Sequence, residues 1–156
     1  MITDTTATTG VVAVNGSTTG DIETTNEHDW FAVTLTAGHT YQFKVDGAAT
    51  GQGSLNDPNV QLFDQNGAAV PGLGSQPGDP GITYTATSSA THYVAAGSGN
   101  NLFGTYTVSV VDTTIPAVTA VAETPSTGDL TAGKTVTITL TTSEAVTVTG
   151  TPRRPS

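Results

Sequence analysis

Hydrophobic and polar residues alternate with a period of two along much of the first 111 residues. Phe31, Val33 and Leu35, for example, alternate with Ala32, Thr34 and Thr36. The other long segments with this pattern are 41–46, 82–87 and 106–111, and shorter candidates are 11–14, 21–24, 60–64 and 91–96. Such alternation is typical of strands with one buried face and one solvated face. The pattern therefore predicts about eight short strands and almost no helix.

Turn signals separate these segments. Ala37-Gly38 follows the first long strand, and Asn66-Gly67 suits a tight hairpin. Residues 71–81 hold three Pro and four Gly, which predicts an irregular loop. Many short strands joined by regular turns indicate an all-β fold, a jelly-roll-like β-sandwich of about eight strands.

The pattern changes after residue 111. Asp112-Thr113-Thr114-Ile115-Pro116 is typical of a linker, and residues 117–123, 134–142 and 145–149 are strand-like. Three strands are too few to close a second sandwich. We therefore divide the chain into four parts: a sandwich over 1–111, a linker over 112–116, a truncated Ig-like segment over 117–150, and a tail over 151–156 that breaks the pattern.

The negative charge lies almost wholly in the predicted sandwich. Residues 1–112 hold ten acidic residues against Lys44, a net charge of −9, whereas residues 113–156 hold three acids and three bases. An acidic surface repels phosphate backbones and anionic lipid, so we expect neither nucleic acid nor a membrane surface as a partner. Divalent cations are the natural counter-charge.

Cysteine is absent, which excludes disulfides and thiolate metal sites. The first residues, Met1-Ile2-Thr3-Asp4, carry neither a basic region nor an apolar stretch, so we expect any export address to lie outside this chain. No apolar run approaches the length of a membrane helix, which predicts no membrane insertion.

Several blocks in a fixed order carry a resemblance. They are Gly20-Asp21-Ile22, the segment 27–38 (EHDWFAVTLTAG), Thr40-Tyr41-Gln42-Phe43, the segment 57–67 (DPNVQLFDQNG), Thr91-His92-Tyr93-Val94-Ala95 and Gly104-Thr105-Tyr106-Thr107-Val108-Ser109-Val110. With them, residues from about 10 to 111 resemble the bacterial pre-peptidase C-terminal domain. Residues 113–149 are similar to bacterial Ig-like repeats, over a shorter and less specific stretch.

The resemblance implies a jelly-roll-like sandwich appended to secreted proteases and other large exported proteins, and hence an extracellular or cell-surface location. The similar collagen-binding domains of clostridial collagenases bind calcium and protein fibrils. One departure concerns a pair of acids that family members often carry after the block matched here by Leu62–Val70. Residues 71–78 lack this pair, and only Asp79 follows.

Five oxygen-bearing side chains lie within nine residues just before a predicted strand. They are Asp21, Glu23, Asn26, Glu27 and Asp29. Calcium takes six to eight oxygen ligands, often from one loop and a distant contributor. The resemblance implies Glu27 and Asp29 as the first ligands of a calcium ion, followed by Asp21 and Glu23. The alternative is a solvated acidic turn that keeps a strand edge soluble, and both interpretations stay open.

The other polar candidates have simpler interpretations. Asp57, Asn59, Asp64 and Asn66 form a second oxygen group that fits ordinary turn chemistry. Trp30, the only tryptophan, is either a platform that stacks on a sugar or an anchor at the edge of the core. His28, His39 and His92 match no zinc spacing, and we place them on solvent faces or turns.

No nucleophile, zinc-protease or phosphate-loop motif occurs, so we predict no catalytic residues and no enzyme activity. We expect a non-catalytic binding or spacer module of a larger secreted or surface bacterial protein, with calcium as its candidate cofactor if the acidic turn is a metal site. Its partners would be neighbouring domains and extracellular polysaccharide or protein. The alternative is a carbohydrate- or fibril-binding domain of a secreted hydrolase, which requires exposed rings at Trp30, Tyr93 or Phe63.

Overall fold

A computed structural model describes residues 2–73, 81–128 and 133–150. The chain divides into two compact units, Met1–Thr114 and Ile115–Ser156. The described residues form ten strands and no helix, which confirms the predicted all-β class. Among them, no helix has the length and apolar character needed to cross a membrane. Most of the predicted loop at 71–81, with Asp79, and the whole tail at 151–156 lie outside the described residues.

The first unit is a β-sandwich of two four-stranded sheets, as the sequence predicts. Its strands are β1 (Gly10–Val11), β2 (Gly16–Ile22), β3 (His28–Leu35), β4 (Thr40–Asp46), β5 (Pro58–Phe63), β6 (Gly81–Thr85), β7 (Ala90–Ser98) and β8 (Gly104–Asp112). One sheet has the order β1-β3-β7-β5 and the other β2-β8-β4-β6. β1 runs parallel to β3, and the other pairs within these sheets are antiparallel.

The core lies between these two sheets. Directly paired residues of neighbouring strands share a face of the sheet. Phe31 of β3 pairs with Val94 of β7, and Phe43 of β4 pairs with Val110 of β8, so alternate residues of these four strands point into the core. The largest enclosed side chains are Tyr41, Tyr106, Phe31, Phe43, Ile22, Leu35, Leu55 and Leu62. Each such apolar side chain contributes about 1.5–3 kcal/mol relative to exposure. The predicted alternation in the long strands is therefore confirmed.

Two predicted turns also form. Gly38 has φ +82° between β3 and β4, and Gly67 has φ +77° after β5, so both backbones occupy the region that favours glycine. In the second turn, Oδ1 of Asp64 accepts the amides of Asn66 at 2.8 Å and Ala68 at 2.9 Å. The turn that the sequence indicates is therefore stabilised by the Asp64 carboxylate and by the positive φ of Gly67.

The predicted strand at 21–24 is wrong in its bounds, because β2 runs from Gly16 to Ile22. The inward positions of this strand are Gly16, Thr18, Gly20 and Ile22, so only its last residue is large and apolar, and the period of two carries little hydrophobic signal. A Cβ on Gly20 would lie 2.2 Å from the hydroxyl oxygen of Tyr106. The bulk missing from β2 is therefore supplied by its neighbour β8.

The second unit holds a two-stranded antiparallel sheet of β9 (Val118–Thr124) and β10 (Thr137–Thr142). Leu140 pairs with Val121 and Ile138 with Glu123, which gathers three exposed apolar side chains on one face. The predicted strand at 145–149 is wrong, since these residues pair with no strand in the described part of the chain. The likeness of this unit to Ig-like repeats stays a prediction.

Candidate metal centre

The acidic turn carries the chain from one sheet of the first unit to the other, between the end of β2 and the start of β3. Oε2 of Glu27 accepts the backbone amides of Glu23 at 2.6 Å and Thr24 at 2.8 Å, and the Thr24 hydroxyl at 3.3 Å. Asn26 adopts a φ of +61°, which Asn tolerates better than most residues. The Glu27 carboxylate therefore closes this turn from within.

Two carboxylate oxygens beside this turn are buried without a hydrogen-bond partner. One is Oε1 of Glu27, and the other is Oδ1 of Asp29. Asp29 is 1% exposed, and its other oxygen, Oδ2, accepts the hydroxyl of Tyr106. A buried charged oxygen without a partner costs free energy. A bound cation would remove that cost, so these two atoms fit the chemistry of a metal ligand.

The electrostatics of the site point the same way. Burial raises the pKa of Asp29 above its ordinary value; the hydrogen bond from Tyr106 opposes this effect, and the nearby charge of Glu27 adds to it. Burial and the contact with Asp29 also raise the pKa of Tyr106 well above its usual range. Negative charge is thus crowded and poorly solvated here, which a divalent cation would relieve.

A recess of about 230 Å³ lies beside the turn. Among the residues that line it are Asp4, Thr24, Asn26, Glu27 and His28. Asp4 lines this recess together with Glu27, whereas Asp29 is not among its lining residues, and local sequence does not reveal Asp4 because it precedes Glu27 by more than twenty residues. The N-terminal segment reaches this position because the Thr8 hydroxyl donates to the Trp30 carbonyl at 2.6 Å. Only tertiary structure reveals that contribution.

The four predicted ligands do not converge on one point. Asp21 is exposed in β2, and the side chain of Glu23 is exposed while its amide serves Glu27. Among the described residues, no three of the four acids bring ligand atoms within 4.8 Å of one another. Glu27 and Asp29 each offer one buried, unpaired carboxylate oxygen, and the remaining oxygens of a calcium shell would come from backbone, hydroxyls and water.

Trp30 lies on the outer face of its sheet, in a small second cluster with Tyr93 and Phe63. Its ring stacks on Phe63 with 4.1 Å between centroids, and Trp30 is 8% exposed. The hydroxyl of Tyr93 donates to the Thr6 carbonyl at 3.2 Å, so the N-terminal segment covers part of this cluster. Little of the indole is free to stack on a sugar, and the geometry matches the anchor interpretation better.

The histidines fall in three different settings. His28 and His39 are partly exposed, and Nδ1 of His39 lies 2.8 Å from Oδ2 of Asp112. The placement of His92 on a solvent face or turn is wrong, since His92 is 3% exposed and faces inward. The local sequence Thr91-His92-Tyr93 does not indicate that His92 is buried, because His occurs on both buried and solvent-exposed faces.

Known proteins resemble the chain in fold. No protein-family model matches the sequence, and no curated protein matches it either. The pre-peptidase C-terminal domain of collagenase from Bacillus anthracis superposes with a TM-score of 0.51 at 13% identity, over 65% of this chain and 92% of that one. This likeness supports the predicted domain type at the level of fold.

A second solved structure is PliG of Aeromonas hydrophila, a periplasmic inhibitor of g-type lysozyme. It superposes with a TM-score of 0.41 at 14% identity, over 65% of this chain and 97% of that one.

Proposed function

We propose that the first unit is a non-catalytic accessory module of a larger exported protein, and that a calcium ion held by Glu27 and Asp29 stabilises it. The observation that carries this proposal is the pair of buried carboxylate oxygens that lack a partner. They lie where the chain crosses between sheets, so a cation there would tie the β2–β3 connection to the sandwich. The partners of such a module are the neighbouring domains of its parent protein.

Two features support the accessory role. The fold is similar to that of the pre-peptidase C-terminal domain of a collagenase, which by its printed name is a C-terminal domain of that enzyme. Asp29, the buried acid with a raised pKa among the residues that the structure describes, is enclosed with Tyr106 and so lacks access to a substrate. Perturbed acids are candidates for catalysis when they sit in a cleft, and this one does not.

The expected calcium affinity follows from the ligand set. Two carboxylates with supplementary neutral oxygens resemble the weaker sites of extracellular modules, with dissociation constants of roughly 10⁻⁴–10⁻³ M. A site of this affinity is occupied only where the free calcium concentration is close to its dissociation constant or above it. We therefore place the module outside the cell, in a medium that supplies calcium.

Thermal unfolding of the full chain in calcium and in EDTA tests the proposal. At about 100 times the dissociation constant, calcium would add ~2.7 kcal/mol, a shift of several degrees in the melting temperature. Glu27→Gln keeps an acceptor for the turn amides but removes the charge, so it abolishes the shift. Asp46→Asn, an acid at the end of β4, is the control and retains it. An identical melting temperature with and without calcium would leave the acids as a solvated turn and overturn the proposal.

A further inference from the structure

A cleft of about 240 Å³ opens where the edge strands of the two sheets, β5 and β6, are followed by their loops. Its polar and aromatic lining comes from Asp64, Tyr84, Thr87, Ser88 and His92. The volume corresponds to roughly eight water molecules at ~30 Å³ each, which is room for one small ring. The cleft is separate from the acidic turn and shares no lining residue with the recess beside it.

His92 is the unusual component of this cleft. It pairs with Val33, and paired residues share a face, so its ring takes an inward position of the kind that elsewhere holds Val94. Its Nδ1 lies 3.3 Å from the Ala90 carbonyl, and its ring lies 5.5 Å from that of Tyr84. This carbonyl contact engages Nδ1, and His92 is one of the residues that line the cleft.

The other polar groups surround this imidazole with complementary chemistry. Backbone amides of Ala68 and Asn66 lower the pKa of Asp64, which keeps its carboxylate charged and fixed as an acceptor. The Thr87 and Ser88 hydroxyls both donate and accept, and a histidine nitrogen does either according to its tautomer. Tyr84 adds one aromatic ring to these polar groups, so the lining is more polar than that of most small-molecule sites and suits a ligand rich in hydroxyls.

The charge of the cleft narrows the class of ligand. A fixed carboxylate and the acidic surface of residues 1–112 repel anions. A neutral ring with several hydroxyls fits better, because each hydroxyl pairs with an acceptor or a donor while its apolar face meets Tyr84. We propose that this cleft binds one neutral sugar ring, either a free monosaccharide or the terminal residue of a glycan. The proposal is independent of calcium.

Amide and imidazole NMR spectra of the full chain would test it directly. The probes are glucose, xylose and N-acetylglucosamine, with cellotetraose, xylotetraose and chitotetraose as their chain forms. We expect saturable shifts confined to Gln65, Tyr84, Ser88 and His92, with a dissociation constant on the order of 1 mM for the matching sugar. Shifts from a monosaccharide indicate recognition of a free ring, and shifts from a tetramer alone indicate a glycan end.

His92→Leu is the test variant, because Leu suits an inward position and removes both ring nitrogens. It should weaken sugar binding about tenfold or more, while His39→Gln, outside the cleft, leaves binding unchanged. If His92→Leu does not fold, the double variant Thr87→Ala/Ser88→Ala takes its place with the same expectation. An absence of shifts with all six probes overturns the proposal, as do shifts centred on Trp30 or full binding by a folded His92→Leu protein.

Discussion

Tyr106 in β8 donates a hydrogen bond to the carboxylate of Asp29 in β3, and this bond joins the two sheets beside the acidic turn. Gly20 makes room for it, since any side chain there would meet the Tyr106 hydroxyl. The bond satisfies one oxygen of Asp29 and leaves the other buried without a partner. The stability of this end of the sandwich therefore depends on the charge of Asp29 and on whatever neutralises it.

The effect of the Asp29 charge on stability should appear in the pH dependence of unfolding. The pKa of Asp29 is raised in the folded state above 3.8, so the folded protein holds this proton more tightly than the unfolded chain does. In EDTA, the contribution of Asp29 to stability is thus fully present below 3.8 and is lost as pH rises through the folded pKa.

Asp64 and Asp112 act in the opposite sense. Backbone amides lower the pKa of Asp64; burial would raise that of Asp112, but hydrogen bonds from Thr114 and His39 outweigh it. Their contribution is present above 3.8 and is lost as pH falls through their lowered values. Urea unfolding in EDTA should show stability rising on acidification from neutral pH and then falling in strong acid. A steady loss of stability from neutral pH downward would contradict this account of Asp29.

Substitution of Gly20 by Ala should destabilise the first unit by about 1–3 kcal/mol, because the added methyl displaces the enclosed Tyr106 hydroxyl from Asp29. Gly81→Ala is the matched control in a strand, since its nearest heavy atom would lie at an ordinary 3.5 Å. Urea unfolding of both variants measures the difference. Equal stabilities would show that Tyr106 moves freely and that its contact with Asp29 is weak.

Phe63→Ala should expose the ring of Trp30, on which Phe63 stacks, and lower stability by about 2 kcal/mol. Trp30 is the only tryptophan, so its fluorescence emission should shift to longer wavelength in this variant. In the unaltered protein the emission should not respond to sugars, because the indole is largely covered. A sugar-dependent change in emission would indicate that Trp30 takes part in ligand binding.

Truncation after Thr114 should make the protein more monodisperse. The second unit carries exposed apolar side chains on one face of a two-stranded sheet whose edges pair with no other strand among the described residues, which is a template for association. The cut keeps Thr113 and Thr114, whose hydrogen bonds to Thr40 cap the end of β8. Light scattering compares the two chains, and Val121→Thr in the full chain isolates the apolar face. Equal size distributions for all three proteins would contradict the prediction that the second unit causes association.

The sequence predicts the fold well where alternation carries a hydrophobic signal, as at Phe31–Leu35 and Tyr106–Val110. It fails for most of β2, where the inward residues before Ile22 are Gly16, Thr18 and Gly20, and for residues 145–149, which alternate but pair with no strand among the described residues. Local clustering of acids marks the turn at residues 21–29, and within it the resemblance, not the clustering, ranks Glu27 and Asp29 first; their binding of calcium stays a prediction. Neither signal finds Asp4 or Tyr106, because both come close to this turn through contacts between distant segments.

Calorimetric titration of calcium into the full chain, with Asp29→Asn alongside, tests the central claim most directly. Asn keeps an acceptor for Tyr106 but carries no charge, so the variant should be more stable than the parent in EDTA and should bind calcium at least tenfold more weakly. Higher stability in EDTA together with lost binding is the result that a buried carboxylate held for a cation predicts. Calcium binding that survives Asp29→Asn unchanged, or a variant less stable in EDTA, would contradict the claim.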